Sequence, residues 1–425
     1  MLISFWGLQV KVSWKTNKKL KPQVILDRLR KCSSVGQDGR VSFNGFDKFE
    51  LDSVLFTMIE FHKTFSYHTA QQIYSRGLSA WVASEGTTAD RFLESLKAEV
   101  LVYNKQVPED FVLVTSISAV AGFPLRKIKL EGGVIESCPG GLPKKYETRT
   151  YHDKRWKSSS PHLPDSYCPV LVRFKSKNPM DGVEHALYEL DFVRGIFSLD
   201  VNSAFSISLA MQTFKRAPIN KLTLGGMHSL HQKSGKLQDK NIFWYDPNYS
   251  ERKSLELTDE KNAQAVRFFE FVIGALSRHK DAHIIKDAIV RYVRAFDEVD
   301  KNSTVQRAWA ALESMMAPGE NNTDLIVGRC SFLYAEREYY RQVLEHVKEY
   351  RNRNVHLGHA IEDPSPHCYQ IQKFFRRALI FHLREVDNFK GLQESNKFLD
   401  SSDSIVELGR QRDLIDKVIS FITPP

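Results

Sequence analysis

The sequence has no stretch of about eighteen apolar residues, so no helix of it is expected to cross a membrane. Its five cysteines, Cys32, Cys138, Cys168, Cys330 and Cys368, are scattered and never spaced as CxxC. That argues against a disulfide framework and against a cysteine-rich zinc site, and it leads to the expectation of a reducing cytoplasm. There is no GxxxxGK[ST], and Gly132-Gly133 and Gly140-Gly141 lack the strand-to-helix setting of a phosphate cradle. Internal repeats and low-complexity tracts are absent. The first twenty residues put their lysines after the apolar ones, the reverse of a secretory leader.

What is there is the composition of an ordinary globular protein with a sizeable core. The 425 residues suggest more than one domain. A net charge of +9 tilts the partner weakly toward a polyanion such as RNA or DNA.

The spacing of apolar residues predicts an α+β chain, with a mixed α/β N-terminal region followed by an all-α bundle. Residues 1–168 read as a mixed domain. "TTADRFLESLKAEVLVY" is a helix capped by Thr88 with Phe92, Leu93, Leu96 and Val100 on one face. "FVLVTSI" is a strand, and "KIKLEGGVIES" is a hairpin around Gly132-Gly133. Residues 139–168, rich in proline, glycine, serine and charge, read as a long loop. Residues 169–255 contribute a strand, a helix and a hairpin turning at Ser234-Gly235, expected to pack on the N-terminal domain. From 256 to 425 the pattern is helix after helix. One of these is "STVQRAWAALESMM", read as opening on a capping box of Ser303 and Gln306. Others are expected over about 330–350, 366–386 and 404–421.

Two candidate sites emerge. His356, His359 and His367, with Glu362 and Asp363, could hold a metal, but their spacing matches no standard site; "HKDAH" (279–283) lacks the glutamate of a zinc protease helix. The second is "VKEYRNRNVHLGHA", where Tyr340, Leu344, Val347 and Arg351 share one helical stripe. The arginine therefore continues an apolar face. It either awaits an anion or lies with its stem packed and its charge at a helix C-terminus.

Arg-x4-His occurs four times, as Arg278/His283, Arg341/His346, Arg351/His356 and Arg377/His382. Inside a helix, five residues separate side chains by about 140°, which sets aside Arg341/His346 and Arg377/His382. Arg278/His283 has no suitable polar neighbour. Arg351/His356 is expected where a helix ends at Arg351-Asn352 and the chain folds back, and it alone has an asparagine next to the arginine.

Arg351-Asn352-Arg353-Asn354-Val355-His356 resembles the R-N-x-x-x-H motif of HEPN domains (higher eukaryotes and prokaryotes nucleotide-binding), which are small helical bundles. "AWAALESMM" and "GRCSFLYAE" before it are similar to the Apea-like branch, and the resemblance spans roughly 260–390. Gly358 stands where HEPN toxins inactivated by nucleotidylation carry a tyrosine, which argues against a partner nucleotidyltransferase. The resemblance implies a metal-independent, cofactor-free endoribonuclease that cuts RNA, tRNA being one candidate. The site would be composite, across a homodimer in a prokaryotic cytoplasm, with an antiviral or stress-effector role and a trigger bound by the N-terminal region. It implies His356 as base or acid and Arg351 on the scissile phosphate. Asn352 would orient the histidine or donate to the phosphate.

Glu313 is a candidate to hold Arg351, or else an exposed helix flank. Arg353 and Asn354 are candidate RNA contacts, or else surface. Two other readings stand beside this one: a non-catalytic HEPN module that binds nucleotide, RNA or protein, and a metal-dependent hydrolase on the 356–367 histidines.

Overall fold

The computed structural model describes residues 12–84, 87–146, 164, 166–205, 217–238, 243–246, 249–320, 322–357 and 364–423. The chain divides into two compact units, residues 1–111 with 173–186, and residues 112–172 with 187–425. An α+β fold is observed. The division does not fall at 168 or at 255.

In the first unit the order is β1 (Val12–Trp14), α1 (Pro22–Lys31), β2 (Ser33–Val35), β3 (Val41–Phe43), α2 (Asp47–Met58), β4 (Ile59–Phe61), α3 (Tyr67–Ala83) and α4 (Ala89–Lys105). β1 pairs antiparallel with β4, and β2 with β3. Thr88 caps α4 as its sequence predicts, its hydroxyl accepting from the Arg91 amide at 3.3 Å. Phe92, Leu96 and Val100 of α4 are buried against Trp81 and Leu78 of α3. Gly77 lets the two helices meet, because a Cβ there would lie 2.6 Å from a Leu96 methyl carbon.

The second unit holds most of a six-stranded sheet in the order β10-β9-β5-β8-β7-β6. Its strands are β5 (Glu109–Ile117), β6 (Lys127–Leu130), β7 (Gly133–Ser137), β8 (Cys168–Ser176), β9 (Met227–Gln232) and β10 (Phe243–Tyr245). β5 is buried at seven successive positions, as a central strand must be. The β6–β7 hairpin places Leu130 opposite Gly133. The turn after β9 uses Gly235 at φ +99°, where a Cβ would also strike the Lys145 carbonyl. Most of the 139–168 stretch lies outside the described residues.

Between β8 and β9 runs α5 (Pro179–Val201), buried without a break from Glu189 to Leu199. Three of these buried residues, Glu189, Asp191 and Arg194, are charged. Arg194, 1% exposed, explains why residues 187–255 join the helical part. Its guanidinium binds Asp297 through two nitrogens at 2.5 and 2.7 Å, Asp191 at 2.7 Å, and the Leu222 carbonyl at 3.1 Å. Asn220 also donates to Asp297 at 2.7 Å.

The helical part contains α6 (Asp259–Leu276), α7 (Ala282–Phe296), α8 (Lys301–Met316), α9 (Thr323–Phe332), α10 (Arg337–Leu357), α11 (Ser365–Arg384), α12 (Leu392–Leu399) and α13 (Ile405–Ile422). The stripe of α8 is buried as its spacing predicts, from Val305 through Trp309 to Met316. Its cap differs: Asp300 accepts from both the amide (2.9 Å) and the hydroxyl (2.7 Å) of Ser303, so the carboxylate displaces the expected serine. Gln306, the other half of that box, reaches Asn354 instead. The helix expected over 330–350 is two, broken at 333–336, where Tyr334 turns onto Tyr340 and Phe374. α13 forms as predicted, yet none of its residues is buried.

Candidate functional site

α10 presents Leu344 and Val347 to the core at 0% exposure and Tyr350 at 9%, so the stripe leading to Arg351 is real. The expected end at Arg351-Asn352 is not. The helix continues to Leu357. Residues 351–357 contain no glycine or proline, and Glu349 and Arg353 form an i,i+4 ion pair at 2.8 Å across the supposed break. Arg351 and His356 are therefore helical positions about 140° apart, as in the two pairs set aside on that ground. The side chain of His356 lies outside the described residues, as do His359, Glu362 and Asp363.

Three hydrogen bonds with α8 set the register at the site. The Tyr350 hydroxyl donates to Asn302, and Gln306 donates to Asn354, whose own amide donates to Asn302 at 3.3 Å. Asn354 is thus a clip between helices and not an open RNA contact. Arg353 is exposed and paired with Glu349. The same register puts Arg351 level with Asn302–Gln306, and Glu313 lies seven residues, or about 10 Å, beyond Gln306 along the helix. Glu313 is half-buried, and no ion pair joins it to Arg351 among the described residues.

Asn352 holds the arginine instead. Arg351 Nη1 donates to Asn352 Oδ1 at 3.0 Å, which fixes one edge of a half-buried guanidinium. Its Nε is buried and has no hydrogen-bond partner among the described residues. A neutral donor left in that state costs on the order of 1–3 kcal/mol and a charged one more, a cost that an acceptor would relieve. An anion's oxygen is the acceptor that best suits a guanidinium fork.

A histidine weighed in the sequence only as a metal ligand sits next to this arginine's helix. His367 of α11 is buried between Tyr350 and His346, with ring centroids at 4.7 and 5.0 Å, and its Nδ1 lies 3.2 Å from Gln370 Oε1. Burial, aided by the His346 ring, lowers its pKa below the ordinary imidazole value. No group of three or more metal-capable side chains occurs among the described residues. The signal for His367 was the one-turn spacing of His346 and Tyr350 on α10, legible only once α11 was known to cross there. The chain matches no protein-family model, no curated protein and no solved structure.

Proposed function

We propose that this chain is a metal-independent endoribonuclease of the HEPN type, working as a homodimer in which two copies each bring Arg351, Asn352 and His356 to one site. The observation that carries this reading is the half-buried Arg351, held on one edge by Asn352, whose buried Nε has no hydrogen-bond partner among the described residues. Arg351 would take a non-bridging oxygen of the scissile phosphate. His356 would remove the 2′-hydroxyl proton or protonate the leaving 5′-oxygen. The hydroxyl then attacks phosphorus and the P–O5′ bond breaks, giving a 2′,3′-cyclic phosphate and a 5′-hydroxyl. Arg351 and His356 occupy helical positions about 140° apart, so the reading needs two copies, the arginine of one serving with the histidine of the other; that spacing no longer separates this pair from Arg341/His346 and Arg377/His382, and the Asn352 bond to the arginine does.

The pairing finds support in α13. Nine of its large apolar side chains are exposed, among them Leu414, Ile415, Val418, Ile419 and Ile422. Burying most of that face would cover on the order of 800 Å² per copy, what a stable dimer needs. Three acidic and three basic side chains balance along the helix, which suits a second copy better than an anionic membrane. Among the described residues, no helix is long and apolar enough to cross a membrane. The effector role in a prokaryotic cytoplasm, and a trigger held by the N-terminal region, rest on the family resemblance.

The unbroken α10 favours a second reading, a HEPN-type module that binds RNA, nucleotide or protein without cutting. The test is RNA cleavage in EDTA by the parent and by Arg351→Ala and His356→Ala. The nuclease reading expects chelator-resistant cleavage that both substitutions abolish. Cleavage retained by both variants sinks the site, and loss on chelation restored by zinc sinks the metal-free chemistry.

A further inference from the structure

α11 carries no acidic residue over its length, while Lys373, Arg376, Arg377 and Arg384 all lie on its exposed side. Between α11 and α6 is a groove of about 400 Å³. Arg267, Phe268 and Phe271 of α6 form one wall, and Arg376 and Arg384 form the other. The Arg376 guanidinium stands 5.7 Å over the Phe268 ring, and the Phe271 ring is 36% exposed.

Asp200, the one carboxylate among the described residues lining the groove, is spent. Its side chain is 7% exposed, accepts from Gln264 at 3.0 Å, and faces Arg376 at 3.9 Å. Arg267 and Arg384 have no ion pair among the described residues. The other flank of α11 repeats the theme: Lys373 stands 4.3 Å over Tyr340, and Arg377 5.7 Å over Tyr334.

Cations interleaved with rings, with Phe271 exposed among them, suit a single-stranded polynucleotide. The arginines take backbone phosphates, and the rings take unpaired bases. Arg376 and Arg384 are eight residues, or about 12 Å, apart along the helix, so they would engage different phosphates of one strand. A duplex offers no free base face to Phe271, and an acidic peptide offers charge without a ring to stack.

We infer that the groove between α6 and α11 binds single-stranded nucleic acid through Arg267, Arg376 and Arg384, with Phe271 stacking on a base. As a binding site it stands apart from Arg351; as a track that feeds substrate it rests on the nuclease reading.

The experiment is fluorescence anisotropy with a short labelled single-stranded RNA, its DNA equivalent, the RNA duplex, and a polyglutamate competitor. Phe271→Ala weakens single-strand binding at least about fivefold. Arg267→Ala/Arg376→Ala/Arg384→Ala lowers the slope of log affinity against log salt by about 2. A charge-matched control, Arg40→Ala/Arg91→Ala/Lys97→Ala, changes neither. The inference is overturned if the parent binds no single strand or if the groove variants bind like the parent. Duplex bound as tightly as single strand, or polyglutamate competing as well as RNA, overturns it too. RNA against DNA affinity reads which strand the groove prefers. Groove-dependent binding without cleavage would fail the nuclease reading and leave the groove standing; cleavage with undiminished binding by the groove variants would do the reverse.

Discussion

Replacing Arg194 by methionine tests the physics that joins α5 to the helical part. The side chain is 1% exposed and meets two carboxylates, Asp297 and Asp191, besides the Leu222 carbonyl. Methionine fills much of the same volume but leaves Asp297, a partly buried carboxylate, with only Asn220 to donate to it, and the buried Asp191 with Arg294 alone. Breaking a buried pair from one side costs about 3–5 kcal/mol. The pH dependence follows from the sign. Burial already raises the Asp297 carboxyl above its ordinary pKa, and Arg194 is the largest influence lowering it. Without Arg194 the folded pKa climbs further above the unfolded value. The penalty is then full where the carboxyl would ionise in the folded state and fades as pH falls toward the unfolded pKa, by up to about 1.4 kcal/mol per unit. Urea unfolding followed by circular dichroism between about pH 8 and pH 5 measures this. The variant should be several kcal/mol weaker at the upper end and regain part of that in acid. Arg194→Met/Asp297→Leu should recover most of the loss at every pH. A cost under about 1 kcal/mol, or one that does not change with pH, would refute the reasoning.

His382 is buried between Ser395 and Met316, and burial lowers its pKa to about 3, with His279 and Arg329 adding to the effect. The unfolded chain takes a proton near pH 6.5 and the folded one does not, so stability should fall below about pH 6.5 by up to about 1.4 kcal/mol per unit. His279 and His367 shift in the same direction and add to the slope. Thermal midpoints of His382→Gln should depend less steeply on pH between 7 and 5 than the parent's, and equal slopes would contradict the assignment. On α13, Ile415→Glu/Ile419→Glu should turn a dimer into a monomer in sedimentation velocity with the helical circular dichroism otherwise kept. A monomeric parent, or a variant that stays dimeric, would remove α13 from the interface.

The fold was legible where burial is one-sided. Trp309, Leu312 and Met316 on α8, or Phe92 and Leu96 on α4, announce themselves by spacing, and each is buried. Thr88 was legible as a cap because nothing competes for the Arg91 amide, whereas at α8 Asp300 stands ahead of Ser303 and takes the role. α5 was legible as a helix but its all-round burial was not: Glu189, Asp191 and Arg194 look like a solvated face, and only their partners on α7, after α7 and in the 217–223 segment make them interior. At the site the stripe through Leu344 and Val347 was readable. The helix end was not, since Arg351-Asn352-Arg353 has the polarity of a terminus without the glycine or proline that makes one. Asn354 and Gln306 were invisible as a pair because they lie 48 residues apart.

The most direct measurement is the sequencing of RNA 5′ ends after expressing the parent and its His356→Ala form. New 5′-hydroxyl ends are expected at defined positions in the parent, with 2′,3′-cyclic phosphates on the upstream fragments, and neither in His356→Ala. The same ends at the same abundance in both, or no new ends from the folded, RNA-exposed parent, would contradict the nuclease reading.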